Sequence, residues 1–321
     1  MIQFLRIAVV TAAVSASASA QAPLPSWMRP NPGVNMQDAR ESQLMRPLVV
    51  SVPGMERVRV RENIAYTQTD DSLVRMDVYE PLDARRGERR PAVLYVHGGT
   101  GVQYRPKDWG GFQARGRLAA ASGFVGIVFT HRVGFPDMRL KRGAQDVAAA
   151  IDFVHRNAAT LGVDPERLCL VVYSAGGPLM TPYLVDAPRH IQCVVGVVPF
   201  MDMREMEFHK QLETTETLNE FSPVLQVSAS RRPVPLLIVR AGKDEIPDVN
   251  KSIDQFVPAA LAANYPFAIV NHPEGGHGFE TQHHSERTKE VIAQTLAFLR
   301  YHLGLSSRSQ PPLSLSAPVR E

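Results

Sequence analysis

The stretch that most constrains this chain runs from Leu168 to Gly177, Leu-Cys-Leu-Val-Val-Tyr-Ser-Ala-Gly-Gly. Leu168–Val172 is an unbroken apolar run and reads as a strand buried on both faces. Ala175, Gly176 and Gly177 follow at once, and Pro178-Leu179-Met180 reads as the start of a helix. A join with so little bulk predicts a sharp strand-to-helix turn. Its lone serine, Ser174, is held out above the sheet between small neighbours, where a base and a substrate can reach it. Such turns favour glycine two residues before the serine; Val172 stands there, so the packing beneath the turn must differ.

Strand and helix signals alternate on either side of this turn. Val58–Arg61, Val74–Tyr79, Pro91–Val96 and Val125–Thr130 read as strands before it. Ile191–Val198, Pro235–Val239 and Phe267–Asn271 read as strands after it. Phe112–Ala121, Ala144–Ala158 and Thr288–Leu303 read as helices. In the second of these, Val147, Ala150, Ile151 and Val154 share a face, and Asp146 lies near the start. Asp164-Pro165 reads as a turn. The alternation predicts an α/β fold: a mostly parallel central sheet with helices on both faces. Met201–Ser230 breaks the rhythm and is either a small lid or a surface excursion.

The ends read differently from the middle. Arg6, the apolar Ile7-Ala8-Val9-Val10 and the small Ala18-Ser19-Ala20 have the order of a secretory signal, with a mature start at Gln21. The expected organisation is a signal peptide over 1–20, an extended Pro-rich arm over 21–55, a catalytic domain over 56–305 and a disordered tail over 306–321. The expected location is secreted or periplasmic, with no stable membrane insertion after cleavage. Export permits disulfides, yet Cys169 and Cys193 both fall in predicted core strands. Buried free thiols are expected, with a bridge as the alternative if those strands are neighbours. A formal charge of +3 with no dense Lys/Arg cluster argues against a nucleic-acid partner. Arg85-Arg86-Gly87-Glu88-Arg89-Arg90 reads as a solvated turn, and His283-His284 as solvated too.

A serine hydroxyl is a weak nucleophile and needs a base, itself oriented by a third group. Sites on open α/β sheets gather at the carboxyl ends of strands. The strand Leu236–Val239 runs into Arg240-Ala241-Gly242-Lys243-Asp244, which offers Asp244 as the orienting acid; Glu245 and Asp248 are its rivals. The strand Phe267–Asn271 runs towards His277, which has glycine on both sides; His272 is the rival base. His97-Gly98-Gly99-Thr100-Gly101 follows another strand and offers backbone N–H groups to an oxyanion. The expected donors are the amides of Gly98 or Gly99 and of Ala175, with His97 bracing the loop.

Four segments in order, His97-Gly98-Gly99, Tyr173-Ser174-Ala175-Gly176-Gly177, Gly242-Lys243-Asp244-Glu245-Ile246-Pro247 and Gly276-His277-Gly278-Phe279, resemble the esterase branch of the α/β-hydrolase family. Asp146, Ala149, Phe153, Gly162-Val163-Asp164-Pro165 and Leu168 are similar to that branch too, so the likeness covers Val74 to Leu303. Within it the chain resembles hormone-sensitive-lipase-like and feruloyl-esterase-like carboxylesterases, and dienelactone hydrolases more distantly. The resemblance implies a serine hydrolase of small acyl or aryl esters, acting through Ser174, His277 and Asp244, with no metal or organic cofactor. Two alternatives stay open. One is a prolyl-oligopeptidase-like peptidase or amidase, a class that usually carries a large extra domain. The other is a binding protein of the same fold without chemistry. Trp109, Phe135, Met203 and Phe208 are candidate pocket walls.

Overall fold

The computed structural model describes residues 45–316 apart from 70–72, 86, 100–104, 135–138, 207–209 and 307–310. The segment read as a signal peptide and most of the arm, 21–44, lie outside the described residues. So do Thr100, Gly101, Phe135 and Phe208.

The strands are β1 (Val50–Ser51), β2 (Arg59–Ile64), β3 (Met76–Glu80), β4 (Arg90–Val96), β5 (Val125–Phe129), β6 (Val163–Tyr173), β7 (Ile191–Val197), β8 (Leu236–Ala241), β9 (Phe267–His272) and β10 (Ser314–Leu315). The α-helices are α1 (Gly110–Ala121), α2 (Leu140–Arg156), α3 (Ala158–Leu161), α4 (Thr181–Asp186), α5 (Thr215–Glu220), α6 (Pro223–Gln226), α7 (Val249–Ala262), α8 (Phe279–Gln282) and α9 (Glu286–His302).

Eight strands form one sheet in the order β2-β3-β5-β4-β6-β7-β8-β9. β3 is antiparallel to β2 and β5. From β5 across to β9 every pairing is parallel. Ala92–Val96 and Leu168–Val172 are buried at every position. Successive strand residues point to opposite sides, so helices cover both faces here. All six parallel strands run the same way, which brings the loops after β4, β6, β8 and β9 to one rim of the sheet.

Several local readings change in detail. Asp164-Pro165 is a turn embedded in β6: Asp164 Oδ1 accepts the Glu166 N–H, and the register against β4 breaks between Val163 and Leu168. Helix α2 starts at Leu140, so Asp146 lies well inside it, buried against Arg132. Among its described residues, the stretch 201–230 holds α5, α6 and two short 3₁₀ turns, with Met201, Met203, Leu218, Phe221 and Val227 buried. Met203 is thus a core residue, not a pocket wall.

The expected free thiols are bonded to each other. Cys169 and Cys193 are register partners on adjacent strands, with Cα atoms 4.8 Å apart, and form a disulfide. The alternation of elements does not reveal which strands are neighbours; once β6 lies beside β7, the register brings the two sulfurs together. Closing a loop of this length removes unfolded-chain entropy worth roughly 3 kcal/mol. Within the expected disordered tail, the described residues 311–316 are ordered: Ser314–Leu315 pairs antiparallel with β1, and Ser316 N–H donates to Val49 O. Leu313 and Leu315 pack against the core, an anchor that the Ser/Pro-rich composition hides. The partner strand lies in the arm, where Leu48, Val49, Val50 and Val52 are buried.

Candidate active site

Strand β6 ends at Tyr173 and the chain turns directly into a 3₁₀ helix over Ser174–Met180. Ser174 takes φ 50°, a left-handed conformation that costs a non-glycine residue energy. The turn is tight because backbone packs on backbone. A Cβ on Gly176 would meet His97 O at 2.4 Å, and one on Gly177 would meet Phe200 O at 2.6 Å. The close approaches therefore fall after the serine. Val172 sits before it, fully buried, with Val96 and Gly196 as its strand neighbours. That is why valine is tolerated where glycine is usual.

The loops after β8 and β9 bring two side chains to this serine. His277 Nε2 lies 2.8 Å from Ser174 Oγ. His277 Nδ1 lies 2.9 and 3.1 Å from the two carboxylate oxygens of Asp244. The Asp244 carboxylate is fully buried and also accepts the Ile246 N–H at 3.0 Å on Oδ1. Nδ1 is the donor in this pair, which leaves Nε2 free to accept the serine proton. The rivals take other places. Glu245 Oε2 accepts the His277 backbone N–H at 3.0 Å and so steadies the loop that carries His277. Asp248 precedes α7, where its carbonyl accepts the Ser252 N–H. His272 is buried, with Nε2 2.9 Å from Thr288 Oγ1.

The third component is the loop after β4. Gly98 abuts the serine: a Cβ there would lie 3.0 Å from Ser174 Cβ. His97 is fully buried, and its Nε2 accepts the His131 N–H at 3.1 Å. That acceptor role assigns the ring proton to Nδ1, which donates to Gly98 O at 2.7 Å. A planar peptide points its N–H opposite to its carbonyl. Holding Gly98 O therefore fixes the direction of the Gly99 N–H. His97 braces the loop in a specific sense: it aims one peptide group.

Sequence reading missed His131, which follows β5. Its ring stacks on His97 with centroids 3.5 Å apart and planes within 1°. His131 Nδ1 accepts the Val133 N–H at 3.2 Å, and Nε2–H donates to His97 O at 3.1 Å. Arg132, next in the chain, is clamped on Asp146. Burial holds the His97 ring well below the usual imidazole range, and the neighbouring His131 adds to this. Burial alone pushes His131 down to about 3. Both rings are neutral in the folded protein, while an unfolded imidazole titrates near 6.5.

This has a measurable consequence. Below the unfolded value the unfolded chain takes up protons that these rings refuse, so stability rises with pH in that range. The His131 contribution is complete above pH 6.5 and is lost as pH falls through 6.5 towards its folded value of about 3, and His97 acts in the same direction. His131 accounts for about 1.4 kcal/mol per pH unit inside that window. Thermal melts from neutral pH down to about 5 should show the loss, and His131→Phe should make the slope shallower. An unchanged slope in the variant would count against it.

Aromatic side chains line the same rim. Phe112 of α1 meets the Tyr173 ring edge-on at 5.4 Å and the His97 ring at 6.4 Å. Trp109, half-buried, rests on Phe112 at 6.2 Å.

With this geometry in hand, the likenesses can be read. The profile of the prolyl oligopeptidase family matches residues 135–306, more than half of the chain. Carboxylesterase 3B of Mus musculus is 26% identical over 271 residues, which cover 78% of this chain and 45% of that protein. Carboxylesterase NlhH of Mycobacterium tuberculosis is 33% identical over 146 residues, 45% of this chain and 42% of that protein. The chain thus spans less than half the length of these curated relatives. Among solved structures, a thermophilic esterase from the Planctomycetes species Thermogutta terrifontis superposes with a TM-score of 0.61 at 20% identity, covering 80% of this chain and 96% of that one. Esterase B from Lactobacillus Rhamnosis superposes with a TM-score of 0.67 at 17% identity, covering 84% and 92%. The two superpositions give the α/β-hydrolase fold.

Proposed function

Because the chain belongs to the prolyl oligopeptidase family, we propose from its site that it is a serine hydrolase of carboxylic esters with small acyl or aryl groups. The observation that carries this reading is the unbroken line from Asp244 through His277 to Ser174, with contacts of 2.9 and 2.8 Å. The carboxylesterase relatives support the choice of ester.

In this reading His277 Nε2 takes the proton of Ser174 as Oγ attacks the ester carbonyl carbon. The negative charge on the former carbonyl oxygen is met by the N–H groups of Gly99 or Gly98 and of Ala175. His277 then passes its proton to the leaving alcohol oxygen, and the C–O bond breaks. Water, deprotonated by the same nitrogen, attacks the acyl-serine; the acid leaves and the proton returns to Ser174. Asp244 holds the imidazole in the required tautomer and stabilises its charged form throughout.

The family match favours a second reading, an amidase or peptidase. A panel of substrates separates the two. Purified protein is expected to hydrolyse p-nitrophenyl acetate and butyrate with a higher kcat/KM than any dipeptidyl p-nitroanilide. The reverse order would move the assignment to a peptidase, and inactivity on both would leave a binding protein. The reading also includes export: residues 1–20 are taken as a cleaved signal, and the core disulfide suits an oxidising compartment. The intact mass of protein exported by its host should correspond to a start at Gln21.

A further inference from the structure

A buried ion pair beside the site takes no part in the mechanism. Arg115 of α1 and Glu280 of α8 form an ion pair at 2.5 Å, with side chains only 10% and 12% exposed. The Arg115 guanidinium lies 4.2 Å from the centre of the Tyr173 ring and 5.1 Å from that of Phe112. A buried pair of this kind is seldom a net source of stability, because desolvating two charges offsets their attraction. Its position suggests another use.

Each contact leads to a different part of the site. Tyr173 immediately precedes Ser174. Glu280 follows His277 by three residues, in a short turn also held by Glu245 on the His277 N–H, by the buried Phe279 and by the Glu280 carbonyl, which accepts the Val49 N–H. Phe112 touches the His97 ring of the oxyanion loop. One cation on a rigid helix therefore bears on the loops of the nucleophile, the base and the oxyanion donors.

We propose that the Arg115–Glu280 pair is a strut that sets the separation and alignment of Ser174 and His277, both of its members being positioning residues. The inference rests on the serine-hydrolase reading. Tyr173 supplies a ring face 4.2 Å beneath the guanidinium, while Glu280 supplies the directional charge-assisted hydrogen bond. Losing the strut lets the base's turn drift relative to the elbow. A misplacement near 1 Å costs about 100-fold in rate.

The test compares Glu280→Gln, Arg115→Lys and the double variant Arg115→Met/Glu280→Leu with the native chain. Three properties are measured: melting temperature, kcat and KM on a p-nitrophenyl ester, and the rate at which a small fluorophosphonate modifies Ser174, followed by intact mass. The apolar double variant is expected to melt near the native temperature, since neither charge is left buried alone. Its kcat should fall about 10- to 100-fold with KM nearly unchanged, and its labelling rate should fall in parallel. Arg115→Lys, which keeps the charge but not the guanidinium fork, should lie between. A merely structural pair predicts that the double variant recovers stability and kcat together, and that result would overturn the strut. If the double variant does not fold, Glu280→Gln decides: native kcat and labelling rate there also overturn it. A native chain that no fluorophosphonate modifies would instead overturn the hydrolase reading, and the strut with it.

Discussion

Ser174→Ala is expected to lower kcat on a p-nitrophenyl ester by roughly a million-fold, by analogy with other serine triads. The reason is geometric. Oγ is the atom 2.8 Å from His277 Nε2, and the left-handed elbow backbone holds it there. Folding should be untouched. The strain at φ 50° belongs to the backbone, and alanine carries it about as well as serine. A melting temperature within a few degrees of native, together with lost turnover, would fix the nucleophile. Retained turnover would mean that another group attacks and would end the reading. Covalent labelling by a fluorophosphonate should vanish in the same variant.

The second large effect is expected at Asp244. Asp244→Asn should lower kcat by about 10⁴-fold, the scale known for such a change in another serine triad. Here the surroundings dictate how the amide sits. Oδ1 accepts the Ile246 N–H, so the amide oxygen must stay there. The NH2 group then takes the Oδ2 place, 2.9 Å from His277 Nδ1. It donates to that nitrogen and forces the ring proton onto Nε2. The base then faces the serine with a proton where a lone pair is needed. The loss should appear in kcat far more than in KM, and it should ease at high pH as hydroxide substitutes for the missing base. A variant with more than a tenth of native kcat would show that the carboxylate does not govern the tautomer.

Much of this site is legible in the sequence because each component follows an apolar strand. Ser174 after Leu168–Val172, Asp244 after Leu236–Val239 and His277 after Phe267–Asn271 are each local patterns. A parallel sheet then brings them to one rim without further information. What stays hidden depends on which strands are neighbours. His131 supports His97 because β5 lies beside β4, although the two residues are 34 positions apart. The Cys169–Cys193 bond depends on the register of β6 against β7. Arg115 and Glu280 lie 165 positions apart, and nothing in either local sequence announces the other. The strand at Ser314–Leu315 is hidden for a related reason. The tail's Ser and Pro content signals disorder, while the two leucines that anchor it find their partner strand near the opposite end of the domain. Glu245, a rival acid by sequence, differs from Asp244 only in where its side chain points, which one position along a loop does not reveal.

The disulfide carries a consequence for the protein's history. Cys169 lies five residues before Ser174, and both sulfurs sit in residues with no exposure to solvent. Thiol exchange needs an attacking thiolate to reach the sulfur. A folded molecule therefore offers no path to a reductant, and the bond can be made or broken only while β6 and β7 are apart. It acts as a record of where the chain folded, written once. Molecules that close in an oxidising compartment keep the bond after meeting reducing surroundings, for as long as they stay folded. Molecules that close without it can acquire it later only by opening the strand that leads into Ser174.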